Sequence, residues 1–337
     1  MPVPDSPADA AIAVRAYETR DEPRVLELLQ AAFGRWPRDV RSVTPEEFFR
    51  WKHRAGPFGG SKLVVAEADG ALVGCHAYMP WLLTAGASQL LTLRGVDLAV
   101  HPAYRRLGVS MAMRGAARFP EDVALMWSHP NKQNRPGAEK AGMQVVARLD
   151  RFLRPRRPLR QTLGRGLARG RNSPDALQLE AASAAEVLAE GGRLTPLLGA
   201  ARPSGGRMAT VKDLDYLRWR YGRLDEYRAI WIDSGEGGLA VVRTRRHGSF
   251  WVSDVCDVFA APGDRATVRR LLRAVSDAGP ADLISCNFSS PWEAARSGFV
   301  QARGATVLMT LPLRRDLVPD PAQRASWQLS RGDLELL

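Results

Sequence analysis

The chain has 337 residues, 45% of them hydrophobic, with a formal net charge of +12 and a pI near 10.3. That length and apolar content suit two ordinary hydrophobic cores, so two domains are expected and a disordered or fibrous chain is excluded. The basic surplus is dispersed arginine without blocks, which argues against a nucleic-acid partner. Cys75, Cys256 and Cys286 lie far apart with no C-x-x-C pair, so neither a metal site nor a disulfide framework is expected. The N-terminus MPVPDSPADAAIAV lacks a basic segment followed by a long apolar core, and no 18-residue apolar run occurs. The expectation is a cytoplasmic protein with no membrane partner.

Periodicity predicts, in chain order, a strand in AIAVRAYE (11–18), helices in PRVLELLQAAF (23–33) and PEEFFRWKHR (45–54), and strands in KLVVAEAD (62–69), ALVGCHAYMPW (71–81) and LLTLRGVDLAV (90–100). A helix over about 109–118 follows, then a strand in VALMWSH (123–129), a short helix near 136–141, and a strand in QVVARLD (144–150) paired with one after it. Meandering strands, then one helix joining two parallel strands, predict a mixed α/β sheet rather than a doubly wound one. Residues 156–175 are rich in Arg, Gly and Pro and read as a linker.

Beyond the linker the order recurs. FFRWKHR (48–54) is echoed by YLRWRYG (216–222), VDLAVHP (96–102) by CDVFAAP (256–262), VALMWSHPN (123–131) by ADLISCNFS (281–289), and EKAGM (139–143) by ARSGF (295–299). Several echoes in one order predict a duplicated fold. The expected organisation is a first domain over 1–155, the linker, a degenerate second copy over 176–315 and a tail over 316–337. Trp51 and Trp219, in register in the echoed helices, are expected as core anchors.

The copies differ after the third strand. The first has HPAYRRLGVSMAM where the second has APGDRATVRRLLR. A loop entering a helix offers backbone N–H groups without intrahelical partners at the positive end of the helix dipole. Gly108 opens the backbone there, Ser110 stays small, and Arg105 and Arg106 add charge suited to phosphate oxygens. Arg105, Arg106, Leu107, Gly108, Val109 and Ser110 therefore compose a candidate diphosphate cradle, present in the first copy only.

The run L-A-V-H-P-x-Y-R-R-x-G-x-S resembles the pyrophosphate-binding motif of the GNAT superfamily of acyl-CoA-dependent acyltransferases, Q/R-x-x-G-x-G/A, with Arg105, Gly108 and Ser110 on the motif positions. The resemblance covers about 145 residues of the first half. It implies a tandem GNAT fold, each copy a mostly antiparallel twisted sheet with a splayed parallel strand pair flanked by helices. It also implies acetyl-CoA or another acyl-CoA as co-substrate, main-chain pairing of Leu98, Ala99 and Val100 with the pantetheine arm, and Asn131 facing that arm. The pieces FFRWKHR, HPN, YLRWRY and a C-terminal W-x-L-x-x-G-D (Trp327, Leu329, Gly332, Asp333) are similar to bacterial tandem-GNAT proteins associated with exopolysaccharide or cell-surface sugars.

Acyl transfer to an amine needs a base, because a simple alkyl amine is neutral in only about one molecule in two thousand at neutral pH. Asp97, in the apolar run LRGVDLAV, is the first candidate, its alternative a structural ion pair with an arginine. His129 is the second. His101, beside the cradle, reads as solvated or cofactor-adjacent, and His76 with Tyr78 reads as one face of a half-buried strand. The tyrosine that the resemblance implies as acid for the leaving thiolate is replaced by Ala138, and the aromatic after it by Met143. The second copy offers Asp254, Cys256, Asp257 and Asn287 and is expected to complete the acceptor pocket, and Asp333 in the tail could reach that pocket. The expected activity is N-acyl transfer, N-acetylation above all, to a small-molecule amine such as an amino sugar or biosynthetic intermediate. The alternatives are an aminoacyl-tRNA-dependent transferase and a CoA-binding protein without turnover.

Overall fold

Local signals set the helices and hairpins. The computed structural model describes residues 11–334 apart from 157–178, 202–204, 234, 236, 248–249, 280, 288–290, 303 and 305, and apart from the side chains of 291–293. Beyond Arg156, all of the expected linker lies outside the described residues. The chain forms two units, one of 1–38, 43–147 and 306–327, the other of 39–42, 148–305 and 328–337.

In the first unit, β1 (Ala13–Ala16) precedes α1 (Glu22–Phe33), which carries Pro in its first turn and stops at Gly34 with φ +77°. α2 (Pro45–His53) opens on a reciprocal capping box: the Glu47 N–H donates to Thr44 Oγ1 and the Thr44 N–H to Glu47 Oε2. β2 (Lys62–Ala68) and β3 (Ala71–Ala85) are joined by Asp69-Gly70, both at positive φ, the turn a two-residue hairpin requires. β4 (Ser88–Val100), α3 (Val109–Ala116), β5 (Leu125–Ser128), α4 (Arg135–Lys140) and β6 (Gln144–Arg148) follow. A Cβ on Gly74 of β3 would lie 2.8 Å from Val109 and 3.0 Å from Met113, so this glycine lets α3 lie against the sheet.

The sheet runs β1-β2-β3-β4-β5, then the strand Val307–Pro312, then β6. The expected pairing of QVVARLD with the strand after it is therefore wrong. The apolar VLMTLP, with Val307, Leu308 and Met309 buried, takes the interior position, while QVVAR, with Gln144, Val145 and Arg148 exposed, suits an edge. The strand after it, β7 (Arg151–Pro155), enters the second sheet, where Phe152 joins that unit's core.

The second unit comprises β7, β8 (Ala182–Ser183), α5 (Ala184–Ala189), α6 (Gly191–Ala200), β9 (Met208–Thr210), α7 (Leu214–Tyr221), β10 (Tyr227–Ile232), β11 (Gly238–His247), β12 (Phe250–Ala260), α8 (Arg265–Asp277), β13 (Leu283–Cys286), α9 (Pro291–Arg296), β14 (Val300–Ala302) and α10 (Arg331–Leu334). Its sheet order is β14-β7-β13-β12-β11-β10-β8. Both sheets mix parallel and antiparallel pairs, so the protein is a mixed α/β fold. The registers agree in detail. Parallel pairing of β4 with β5 ends at Arg94↔Trp127, and that of β12 with β13 ends at Asp254↔Ser285, which are echoed positions in the sequence. Just beyond, β4 and β12 each carry a register shift that places an aspartate, Asp97 or Asp257, at a bulge.

Candidate active site

β4 leaves the sheet at Val100 and turns through a short 3-10 segment, Pro102–Tyr104, whose start is capped by the Ala103 N–H donating to His101 Nδ1 at 3.4 Å. Tyr104 is buried and pins the turn to a cluster with Val109, Met113, Leu98 and Val100. Arg105, Arg106, Leu107 and Gly108 are exposed. Arg106 (φ +71°) and Gly108 (φ +79°) are left-handed, which turns successive amides outward, and nothing lies within 4 Å of where a Gly108 Cβ would sit. Gly108 is thus needed for its backbone angle, and as the helix N-cap it leaves the first amides of α3 without a side-chain partner. Arg105 Nη2 donates to the Ala32 carbonyl of α1 at 2.9 Å, which holds the loop in place.

The second unit closes the same position. α8 is capped by Asp264, whose Oδ1 accepts the Thr267 N–H at 2.9 Å, and the Thr267 hydroxyl first, then this amide, hold the carboxyl below the usual range. A carboxylate already lies at that helix start, so an anion is repelled.

Next to the open loop, β4 pairs with β5 only over Thr92–Arg94, whereas its pairing with β3 continues to Val100. The β5-side edge of Gly95–Val100, which includes Leu98, Ala99 and Val100, carries no strand partner from β5. Below the split, Arg94 is sandwiched between Trp81 and Trp127, 4.6 and 4.5 Å from the ring centroids, and Trp327 packs on Trp127 at 5.6 Å.

Asp97 sits in the bulge at φ +47°. Its carboxylate is held by Lys52 Nζ (2.8 Å to Oδ2, 3.1 Å to Oδ1), by His53 Nε2 (3.0 Å to Oδ2) and by Trp36 Nε1 (3.4 Å to Oδ1). The ion pair anticipated at Asp97 exists, with a lysine from α2 in place of an arginine. Burial alone would raise this carboxyl; the Lys52 ammonium and the His53 imidazole overcome it and hold the group well below its ordinary value. His53, also buried, is shifted down mainly by burial, against the pull of Asp97. Its other nitrogen, Nδ1, lies 3.0 Å from Ser61 Oγ. Lys52, His53 and Ser61 were not among the expected site residues. The only signal was the K-H pair closing FFRWKHR, where it reads as the solvated end of a core helix.

The other expected residues are scattered. His129 follows β5, half-buried, its ring edge-on to Trp127 at 5.5 Å. Asn131 Oδ1 accepts the N–H groups of Gln133 and Asn134 and so shapes the entry to α4. Ala138 and Met143 are buried in one cluster with Tyr78. His76 is buried against Tyr78, ring centroids 4.2 Å apart. Trp51 and Trp219 are buried, Trp51 against Phe48. The three cysteines are buried and in no disulfide, and burial pushes the thiols of Cys75 and Cys286 up, the latter to about 12.

In the second unit the bulge carboxylate is consumed internally. Asp257 accepts from Tyr221 Oη and from Lys212 Nζ (2.6 Å), and Lys212 also donates to Ser330 Oγ (2.8 Å) and Asp333 Oδ2 (3.0 Å). Tyr221 echoes His53 in sequence, so each unit holds its bulge aspartate with the same helix position. Gly332 of α10 presses on this network: a Cβ there would clash with Tyr221 Oη. Asp333 is fully buried, a member of this cluster rather than a solvated tail residue. Asp254, equally buried, is met by Arg245 (2.7 Å), Arg331 (3.4 Å) and Arg151 (3.6 Å). Among the described residues no group of His, Cys, Asp and Glu could hold a metal ion, and no helix is long and apolar enough to cross a membrane.

Comparison with known proteins agrees with this geometry. The chain is similar in fold to a conserved protein of Enterococcus faecalis V583 (TM-score 0.59, 12% identity, 90% of this chain and 73% of that one covered). It is also similar to a GCN5-related N-acetyltransferase of Kribbella flavida (0.57, 17%, 90% and 71%) and to Eis1 of Mycobacterium abscessus (0.53, 16%, 88% and 73%). At these identities the likeness speaks for the fold. A search of curated proteins by sequence found no match. Residues 13–117, which include the bulge and the open loop, match the model of the acetyltransferase (GNAT) domain. Residues 13–117 thus match a GNAT acetyltransferase domain, and the protein is an acyltransferase.

Proposed function

We propose that the protein is an acyl-CoA-dependent N-acyltransferase, with acetyl-CoA as donor and a small-molecule amine as acceptor, acting in the cytoplasm. In this reading the chain is a tandem of two GNAT-like units of which only the first takes the cofactor. One observation carries it: an uncapped helix start with outward amides lies beside a strand edge left unpaired by β5. The residues fit the cofactor, because a diphosphate meets open amides and the exposed Arg106 without an acidic cap, and an amide-bearing arm meets free main chain. Arg106, Leu107, Gly108, Val109 and Ser110 would hold the pyrophosphate, with Arg105 bracing the loop. Leu98, Ala99 and Val100 would pair with the pantetheine, and Asn131 would face it. The bound group supplies the activated acyl thioester.

His129 is the proposed base toward the amine. Asp97, ionised and bonded through both oxygens, is suited to orienting His53 and Lys52 rather than to taking a proton itself. The terminal W-x-L-x-x-G-D pattern, similar to that of proteins associated with cell-surface sugars, favours an amino sugar as acceptor. The absence of a phenol at Ala138 favours a second reading, a CoA-binding protein with little turnover. The open loop speaks against an aminoacyl-tRNA-dependent transferase. Calorimetry with acetyl-CoA tests the assignment: wild type should bind and Gly108→Asp should not, and equal binding by the two would refute the cradle. Thiol release against a panel of amines then separates turnover from binding alone.

A further inference from the structure

Besides holding Lys52, Asp97 forms with His53 and Ser61 of the first unit a second arrangement of reactive groups. Ser61 Oγ lies 3.0 Å from His53 Nδ1, and His53 Nε2 lies 3.0 Å from Asp97 Oδ2. The Ser61 main-chain N–H also donates to the His53 carbonyl at 2.8 Å, so the serine is tied to the end of α2 at two points. With Nε2 facing an ionised carboxylate, that nitrogen carries the hydrogen, and the Nδ1 lone pair is directed at the hydroxyl. Burial keeps the imidazole neutral at neutral pH and able to accept a proton. Asp97 is held in a left-handed conformation that persists because Lys52, His53 and Trp36 over-determine it. Ser61 itself is half-buried, after a glycine-rich turn with Gly59 at φ +108°.

We propose that Ser61, His53 and Asp97 act as nucleophile, base and orienting carboxylate, and that Ser61 accepts an acyl group from an activated ester. Oγ bonds to the ester carbonyl carbon as its proton passes to His53 Nδ1. The ester C–O bond breaks, the departing oxygen takes the proton from the imidazolium, and a serine ester remains until water or an amine cleaves it. Two features make the site slow. The Ser61 N–H is committed to His53 and cannot meet the oxyanion, a loss of about 10²–10³-fold where such a donor is removed, and Lys52 draws on the same carboxylate that steadies the imidazolium. Donors with good leaving groups are therefore its substrate class.

The test uses the full chain without acyl-CoA, so its outcome stands apart from that of the cofactor reading. The protein is treated with p-nitrophenyl acetate and, separately, with a fluorophosphonate, and modified peptides are mapped by mass spectrometry. The expected result is one modified residue, Ser61, labelled about 10²-fold or more faster than the same peptide in His53→Gln, with no label there in Ser61→Ala. Modification confined to lysines, or a Ser61 rate unchanged in His53→Gln, overturns the proposal. If His53→Gln does not fold, the wild-type pH profile decides. An inflection below the ordinary histidine value supports the relay, and a rate simply proportional to hydroxide overturns it.

Discussion

Acidification from about pH 7.5 to about pH 5 should destabilise the protein through His76, a residue outside the proposed chemistry. The ring is 3% exposed, its Nδ1 has no hydrogen-bond partner among the described residues, and its Nε2 lies 3.4 Å from where a Gly95 Cβ would be. Burial, then the nearby Arg114, lower its value from 6.5 to about 3, with Asp97 opposing. The sign follows: below 6.5 the unfolded chain takes up a proton that the folded one refuses. The contribution is intact above 6.5 and is lost as the pH falls toward about 3. At about pH 5 the loss is ~2 kcal/mol, 1.36 kcal/mol for each of about 1.5 pH units below the unfolded value. Urea unfolding of wild type and His76→Phe at both pH values measures it, since phenylalanine keeps a ring against Tyr78 but cannot titrate. His53, lowered in the same direction, contributes equally to both proteins and cancels in the difference. Equal acid losses in the two proteins would refute the burial argument.

Asp97→Asn should destabilise the chain by about 3–5 kcal/mol, because Lys52, 3% exposed, is left buried without its counter-charge; a urea midpoint within error of wild type would contradict this. Gly74→Ala should cost about 1–3 kcal/mol through its contacts with Val109 and Met113. Since α3 must shift, acetyl-CoA affinity should fall with stability, which paired melting and calorimetry would show. Asp264→Ala should lower the urea midpoint by the modest amount a helix cap is worth, and calorimetry should find no second acetyl-CoA site, because only Gly263 is left-handed ahead of α8, where Arg106 and Gly108 both are ahead of α3.

Much of the site was legible where it depends on local chain geometry. The open, uncapped loop could be read from R-R-x-G-x-S because left-handed backbone and a helix start without a side-chain cap are properties of a few consecutive residues, and Arg106 and Gly108 do adopt positive φ. The echo of VDLAVHP in CDVFAAP carried over to matching registers, since a strand's pairing follows its apolar alternation. The His53–Asp97 contact was invisible, because strand alternation gives the direction of a side chain only where no bulge resets it, and Asp97 lies in a bulge.

The sequence by itself determined most elements of the first half and the difference between the two helix starts, which rest on short-range sterics and periodicity, and it carries the match of residues 13–117 to a GNAT domain. Tertiary structure alone decided that VLMTLP, from near the end of the chain, separates β5 from β6, that Lys52 rather than an arginine neutralises Asp97, and that Gly332 and Asp333 fill the second bulge. Each is a choice among partners distant in sequence, settled by which side chains can be buried together with their charges and hydrogen bonds satisfied.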